Sequence, residues 1–202
     1  SSAANLEFYE ETTPKEYIKG APHVKHRRLR VFYSERVDRV LRYAQQHVDT
    51  PHVLDLGAGE GSVTLPFLSM GAKVTAVDIS ENRLNSLKTK CGKYAQRLEV
   101  QCQDVSTYID FVVEQSKTFD IVVTNAFLHH IPDYLGLINR AVKLLPVHGQ
   151  FFSFQEPLSY DLQSNFTRFF SEVAYLNWRI FQGDITGGIK RRLRWRRGMY
   201  QE

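Results

Sequence analysis

A short stretch that combines an acid with several glycines is the part of this sequence best suited to chemistry. Residues 53–61 read VLDLGAGEG, an apolar run that contains Asp55 and continues into a glycine-rich turn. Glycine lets the backbone turn tightly and lets a ligand approach without a Cβ in the way. The sequence therefore predicts a ligand-binding turn at the end of a β-strand.

The position of Asp55 bears on which ligand this turn would bind. Nicotinamide and flavin enzymes use similar turns, but a carboxylate two residues before Gly57 repels a pyrophosphate and suits an ammonium or sulfonium group. Ser62 also stands where a dinucleotide-binding turn has its third glycine. Both features favour S-adenosylmethionine as the cofactor and argue against the alternative, a nucleotide-dependent oxidoreductase.

Two further acids follow the next two predicted strands. Asp78 lies 19 residues after Gly59, close to the offset at which an acid reaches ribose hydroxyls, and Ile79 would then face the base. Asp104 would either accept from the amino group of the base, beside a backbone N–H, or cap the next helix. Because open α/β sheets bind ligands at the carboxyl ends of their strands, we expect one shared site.

The rest of the sequence alternates short apolar runs with helical patterns, as in a doubly wound parallel sheet with helices on both faces. Strands are predicted at residues 52–55, 73–78, 98–102, 120–124 and 150–155. A leading helix is indicated by apolar residues at three- and four-residue steps, namely Leu29, Tyr33, Val37, Val40, Leu41, Ala44 and Val48. We therefore expect a Rossmann-like α/β fold.

At 202 residues the chain is expected to form one domain with three parts. Residues 1–48 would form an N-terminal helical lid and the leading helix, residues 49–157 the cofactor-binding core, and residues 158–202 a C-terminal helix and a basic segment. The helix is indicated by Phe166, Phe169, Phe170, Val173, Leu176 and Ile180, which would pack on the sheet or line an apolar pocket. Lid or substrate contacts are expected from Tyr9, Tyr17, His23 and His26.

The motifs together resemble the class I S-adenosylmethionine-dependent methyltransferases over about residues 51–157. The resemblance rests on VLDLGAGEG, VTAVDIS, QDV, FDIVVTNAFLHHIPD and LLPVHGQFFSFQEP. It implies that the methionine portion is held by Asp55, Gly57, Ala58 and Gly59, the ribose and adenine by Asp78 and Ile79, the adenine edge by Asp104 and Val105, and the backbone near the sulfonium by Asn125.

This resemblance fails at the end of the chain. The family usually closes its sheet with an antiparallel hairpin, and no pair of strands is recognisable after Gln155. Either the sequence is cut short or the sheet edge is completed differently, for example by a partner. An open edge is a liability for a monomer, so a homo-oligomer is one expectation.

Two histidines follow the fourth predicted strand. His129 and His130 would be close to the cofactor, where a neutral imidazole can act as a general base, and His130 is preferred because it is nearer the next helix. The alternative is that both only shape the site. We expect methyl transfer to an O or N atom of a small-molecule acceptor in a biosynthetic pathway, with RNA or protein methylation and a non-catalytic cofactor-binding protein as alternatives.

The charge and the cysteine content of the chain limit which binding partners and which cellular compartment we expect. The run KRRLRWRR, from Lys190 to Arg197, holds six of the 26 basic side chains. It would bind nucleic acid phosphates, an anionic substrate or an acidic carrier protein, or be solvated, and no recognised RNA-binding module accompanies the core. The two cysteines, with Cys102 expected to be buried, and the lack of a signal or membrane segment suggest a cytoplasmic protein. His23 and His26 lack partners for a metal, so no metal site is expected.

Overall fold

Five parallel strands form the central sheet, in the order β3-β2-β1-β4-β5. The computed structural model describes residues 26–156 and 164–181. The strands are β1 (His52–Leu56), β2 (Lys73–Asp78), β3 (Leu98–Cys102), β4 (Ile121–Asn125) and β5 (Gln150–Phe154). This order changes direction on either side of β1, which leaves a crevice beyond the carboxyl ends of β1 and β4.

Six α-helices accompany the sheet in the described residues: α1 (Arg27–Ala44), α2 (Thr64–Ser69), α3 (Glu81–Lys90), α4 (Val105–Glu114), α5 (Tyr134–Val142) and α6 (Asn165–Phe181). Two short 3-10 helices, Gly92–Arg97 and Leu128–His130, precede β3 and follow β4. Within this described part of the chain, no helix has the length and apolar character that crossing a membrane requires.

The apolar side chains divide into two cores, one on each face of the sheet. Alternate residues of β1 show the division, because Val53 packs on one face and Leu54 on the other. Helices α1, α2 and α3 cover the first face, and helices α4 and α5 cover the second. The doubly wound, Rossmann-like α/β fold predicted from the alternating pattern is therefore confirmed.

The strand boundaries match the predictions within one residue. β4 begins at Ile121 rather than Asp120, and the Asp120 carboxylate accepts from the backbone N–H of His52 at 2.8 Å. In α1 the buried side chains are Tyr33, Val37, Leu41 and Ala44. Leu29 and Val48, which were predicted to share that face, are exposed.

The prediction that Cys102 is buried is wrong. Cys102 is the last residue of β3, and its side chain is exposed. In the described sheet β3 has a neighbouring strand only on the β2 side, so a side chain at its end has little to pack against. The other cysteine, Cys91, is buried.

The chain divides into two compact units, Ser1–Glu156 and Pro157–Glu202. The first contains the sheet and helices α1 to α5. In the second, α6 confirms the helical periodicity, and its side chains Phe166, Phe169, Phe170 and Val173 are exposed. The packing of this helix on the sheet and the single-domain organisation stay predictions. The lid residues Tyr9, Tyr17 and His23 and the run from Lys190 to Arg197 lie outside the described residues.

Candidate active site

The glycine-rich turn after β1 adopts a conformation that depends on glycine. Gly57, Gly59 and Gly61 have φ angles of 74°, 53° and 88°, which side chains with a Cβ rarely adopt. Gly57 also has no room for a side chain, because a Cβ there would overlap the ring of Phe127. The N–H groups of Gly57 and Ala58 both donate to the carbonyl of Val77, at 2.9 and 3.0 Å, so the turn is fastened to the end of β2.

Asp78 joins this turn to the helix that follows β2. One carboxylate oxygen accepts from the Gly59 N–H at 2.8 Å and the other from the Ser80 N–H at 2.9 Å. The residue is only 9% exposed. Each oxygen of an ionised carboxylate can accept two hydrogen bonds, so Asp78 keeps acceptor capacity for a ligand above the turn.

Asp55 lies beneath the turn and not in the wall of the cavity. Its side chain is buried, and one oxygen accepts from the Thr64 hydroxyl at 2.6 Å. Burial raises the pKa of Asp55 to about 7; the hydrogen bond from Thr64 opposes this rise, and the nearby Asp78 carboxylate adds to it. The structure therefore does not bring Asp55 into the group of side chains that face a ligand.

Asp104 caps a helix and also lines the cavity. One of its oxygens accepts from the N–H groups of Ser106 and Thr107 at 2.9 and 3.2 Å, which makes it the N-cap of α4. The same residue lines the cavity beside Val105, whose side chain is buried. Capping uses one carboxylate oxygen, so the other is available to a ligand.

A cavity of about 600 Å³ opens beyond the strand ends. This size is within the usual range for small-molecule sites. Its described lining contains five residues predicted from the sequence, together with His130, and also residues that the sequence did not reveal. The predicted five are Gly57, Asp78, Ile79, Asp104 and Val105, and the additional ones are Arg83, Ser106, Thr107, Ala126, Phe127, Ile131 and Pro132.

Simple signals would have found some of these additional residues. Phe127, Ile131 and Pro132 flank the two histidines in the sequence. Arg83 lies in the first turn of α3, directly after Asp78 and Ser80, where a helix begins beside the ligand crevice. Its guanidinium lies 3.6 Å from the position that a Cβ would take on Gly59. Arg83 therefore places a cation close to the turn.

Several of the residues predicted to hold the cofactor offer groups that a bound nucleoside could use. Asn125, at the end of β4, donates to the Ser62 hydroxyl at 3.5 Å, while its side-chain oxygen is buried and has no hydrogen-bond partner in the described structure. A buried acceptor without a partner is costly and is a feature that a bound ligand would relieve. The positive-φ glycines, the acceptor capacity of Asp78 and this oxygen all lie at the same sheet edge.

The two histidines differ in their surroundings. His130 lines the cavity, and its pKa is lowered by burial, with the neighbouring His129 and Arg83 lowering it further and Glu156 opposing them. His129 lies outside the described cavity wall, and its Nδ1 is 3.0 Å from the Glu156 carboxylate.

His26 precedes α1 and is exposed, without a side-chain capping bond. Residues 26–156 and 164–181 contain no group of three potential metal ligands.

Comparisons with known proteins agree with this geometry. Residues 53–149 match the model of a methyltransferase domain. A ubiquinone biosynthesis O-methyltransferase of Coxiella burnetii is 31% identical over 114 residues, which are 55% of this chain and 47% of that protein. A protein of the same name from Idiomarina loihiensis is 29% identical over 115 residues, with shares of 55% and 46%. The chain thus spans about half the length of the curated relatives it matches.

Solved structures share the fold at low sequence identity. A magnesium protoporphyrin IX methyltransferase from Synechocystis PCC 6803, with bound SAH, has a TM-score of 0.52 and 21% identity, and covers 72% of this chain and 68% of that one. A SAM-dependent methyltransferase from Agrobacterium tumefaciens has a TM-score of 0.51 and 17% identity, with shares of 62% and 45%. The methyltransferase-domain match at residues 53–149 and the shared fold support the resemblance of this chain to the class I S-adenosylmethionine-dependent methyltransferases.

Proposed function

We propose that this chain binds S-adenosylmethionine at the carboxyl edge of the sheet and transfers its methyl group to an O or N atom of a small-molecule acceptor. The observation that carries this proposal is the single cavity wall that joins the glycine-rich turn, Asp78 and Asp104 to His130. The names of the curated relatives support an oxygen acceptor in a biosynthetic pathway. The two cysteines of the chain support a reducing, cytoplasmic setting.

The acidic residues of the cavity have complementary tasks in binding. Asp78 would accept from the ribose hydroxyls with the lone pairs that its backbone contacts leave unused, and Asp104 would accept from the adenine amino group with its non-capping oxygen. When bound, S-adenosylmethionine supplies a methyl group on a sulfonium, which departs as a neutral thioether. The chain therefore has mainly to hold and orient the two reactants.

Apolar side chains cover much of the remaining wall and limit the access of water. They come from the segments that follow β2, β3 and β4, namely Ile79, Val105, Phe127, Ile131 and Pro132. A wall of this kind suits the flat, apolar body of an aromatic acceptor. It would also hold such an acceptor in a fixed orientation next to His130.

His130 is the candidate general base. Because burial lowers its pKa, its imidazole is neutral near pH 7 and can take a proton from an acceptor hydroxyl. We expect activity to be lost as the pH falls through this lowered pKa, since protonation removes the base. In His130→Gln, kcat should fall by about 10²-fold or more and this acidic limb of the pH profile should disappear. A variant with unchanged kcat would leave His130 a residue that only shapes the site.

Incubation with methyl-labelled S-adenosylmethionine tests the proposed function. Three separate pools of acceptors should be offered. The first contains phenols, catechols and small amines, the second total RNA and the third cellular protein. Each pool is incubated with the wild type and with Asp78→Asn as the background control. We expect label in the small-molecule pool and much less with the variant. Label only in RNA or in protein would overturn the small-molecule part. Binding of S-adenosylhomocysteine with no label in any pool would identify a binding protein without chemistry.

A further inference from the structure

Glu156, the second residue after β5, makes a set of contacts that the sequence did not reveal. One carboxylate oxygen accepts from the N–H groups of Phe127 and Leu128, at 3.0 and 3.1 Å. The other accepts from the N–H of His129 at 3.3 Å and lies 3.0 Å from Nδ1 of the same residue. The Glu156 side chain is 21% exposed. One carboxylate thus holds three consecutive residues of another segment.

The backbone on both sides is shaped for this contact. Ala126 and Gln155, the residues just before each partner, have φ angles of 50° and 59°, a region that non-glycine residues seldom occupy. The three N–H groups are those that the 3-10 helix Leu128–His130 leaves without a partner at its start. Successive N–H groups that converge in this way form a site for an anion, and here the chain supplies the anion itself.

The carboxylate must be ionised to satisfy these donors. Burial alone would raise the pKa of Glu156, but the hydrogen bonds from the His129 ring and from the three N–H groups lower it below its ordinary value. A glutamine could not replace it, because its single oxygen accepts from at most two of the four donors and its NH₂ group would face another N–H. The arrangement is therefore specific for a carboxylate.

The same contact fixes the ring of His129. An ionised carboxylate can only accept, so the proton of the neutral His129 ring must be on Nδ1. The rings of His129 and His130 are in contact, with centroids 4.0 Å apart. Phe127, whose N–H donates to Glu156, and His130, which follows His129, both line the cavity. A constraint applied at Glu156 therefore reaches the cavity wall directly at Phe127 and through His129 at His130.

We propose that Glu156 is a positioning residue, which holds residues 126–130 and the His129 ring so that Phe127 and His130 keep their places in the cavity wall. The clamp is a property of the ligand-free chain. Its consequence for catalysis rests on the proposed function, because it requires that methyl transfer takes place in this cavity.

The first test uses the full chain without ligand and compares Glu156→Gln with Glu99→Gln. Glu99 is a suitable control because its carboxylate also accepts two side-chain hydrogen bonds, from Thr75 and Gln101, and it does not line the cavity. In Glu156→Gln, amide hydrogen exchange at residues 127–129 should accelerate about tenfold or more, and nitrogen NMR should show His129 in a mixture of tautomers. Equal protection and an unchanged tautomer in both variants would overturn the clamp.

The second test separates positioning from general stability. S-adenosylhomocysteine should bind Glu156→Gln within about threefold of the wild type, because none of the hydrogen bonds described for Glu156 involves Asp78 or the turn, whereas kcat/KM for the acceptor should fall about tenfold or more. Glu156→Asp, which keeps the charge one methylene further away, should give the same pattern in weaker form and replaces Glu156→Gln if that variant does not fold. An unchanged kcat/KM would overturn the positioning role. Failure of the wild type to bind S-adenosylhomocysteine would instead contradict the proposed function and leave the clamp standing.

Discussion

At Gly57 the glycine-rich turn packs against the segment after β4. The residue has a positive φ angle, and the ring of Phe127 occupies the space that a side chain would need. Phe127 is in turn held by Glu156 through its backbone N–H. The turn and the far wall of the cavity are therefore packed directly against each other.

Replacing Gly57 by alanine should disturb both features, and Gly71 offers a matched control. Gly71 also has a positive φ angle, of 104°, but no atom within 4 Å of the place where a Cβ would lie. In Gly71→Ala the free energy of unfolding should fall only by the backbone strain, about 1–3 kcal/mol. This variant should bind S-adenosylhomocysteine normally. Gly57→Ala should unfold at a lower denaturant concentration than Gly71→Ala and bind poorly. Equal stabilities and affinities of the two variants would contradict the packing of Phe127 on Gly57.

Asp55 is the residue whose role the sequence described least well. The sequence predicts that its charge lies next to the ligand, whereas the structure buries the side chain under the turn, and burial raises its pKa from 3.8 to about 7. An acid with a raised pKa stays protonated in the folded protein after it has ionised in the unfolded chain. The unfolded state then binds fewer protons, so stability falls as the pH rises from about 4 to 7.

Replacing Asp55 by asparagine should therefore stabilise the protein at pH 8, because the amide oxygen can still accept from Thr64 and no charge is buried. The gain should be a few kcal/mol at pH 8 and should shrink toward pH 4. Chemical denaturation at several pH values measures it, with Asp110→Asn, a surface residue paired with Arg140, as the control. A variant that is less stable than the wild type at pH 8 would contradict the buried, partly protonated state of Asp55.

At the scale of elements, the predicted strands and helices depended on local patterns and were found almost as predicted. Apolar, β-branched runs specify the strands whatever their position in the sheet. Helical periodicity specifies α1 and α6. Errors arose where tertiary surroundings decide the outcome. Leu29 and Val48 lie near or beyond the ends of α1, and Cys102 ends an edge strand of the described sheet, so none of them has the neighbours that burial requires.

Helix α4 allows the two roles of Asp104 to be separated. Asparagine caps helices about as well as aspartate, so Asp104→Asn should keep the stability of the protein, whereas Asp104→Ala should lose about 1 kcal/mol. If the carboxylate also accepts from adenine, both variants should bind S-adenosylhomocysteine more weakly. Denaturation and calorimetry report the two roles separately. Wild-type affinity in Asp104→Asn would leave Asp104 with the capping role alone.

At the scale of the whole molecule, the site is assembled from segments that are distant in sequence. The order of the strands brings the turn after β1, Asp78 at the end of β2 and Asp104 after β3 to one sheet edge, and this grouping was predictable because parallel strands share their carboxyl edge. The contact of Glu156 with residues 127–129 was not predictable. It depends on two unusual backbone turns, at Ala126 and Gln155, that no spacing in the sequence indicates.

The charge of the molecule is also less local than the sequence suggested. The basic run from Lys190 drew attention in the sequence, but α1 contains six arginines against two acids, in RRLRVFYSERVDRVLRYA. One of them, Arg42, pairs with Asp38 at 2.7 Å. The cavity wall contains two acids, Asp78 and Asp104, and one arginine, Arg83. A cationic cofactor would therefore meet its complementary charges at the strand ends of a chain whose formal net charge is +4.

Calorimetric titration of S-adenosylhomocysteine into the wild type and Asp78→Asn measures whether the carboxyl edge of the sheet binds the cofactor, with Asp110→Asn as the control. We expect saturable binding by the wild type and the control, together with a rise in thermal stability. In Asp78→Asn the affinity should fall about tenfold or more, equivalent to about 1.4 kcal/mol. The absence of heat and of any thermal shift with the wild type, or an unchanged affinity in Asp78→Asn, would contradict a cofactor site at this sheet edge.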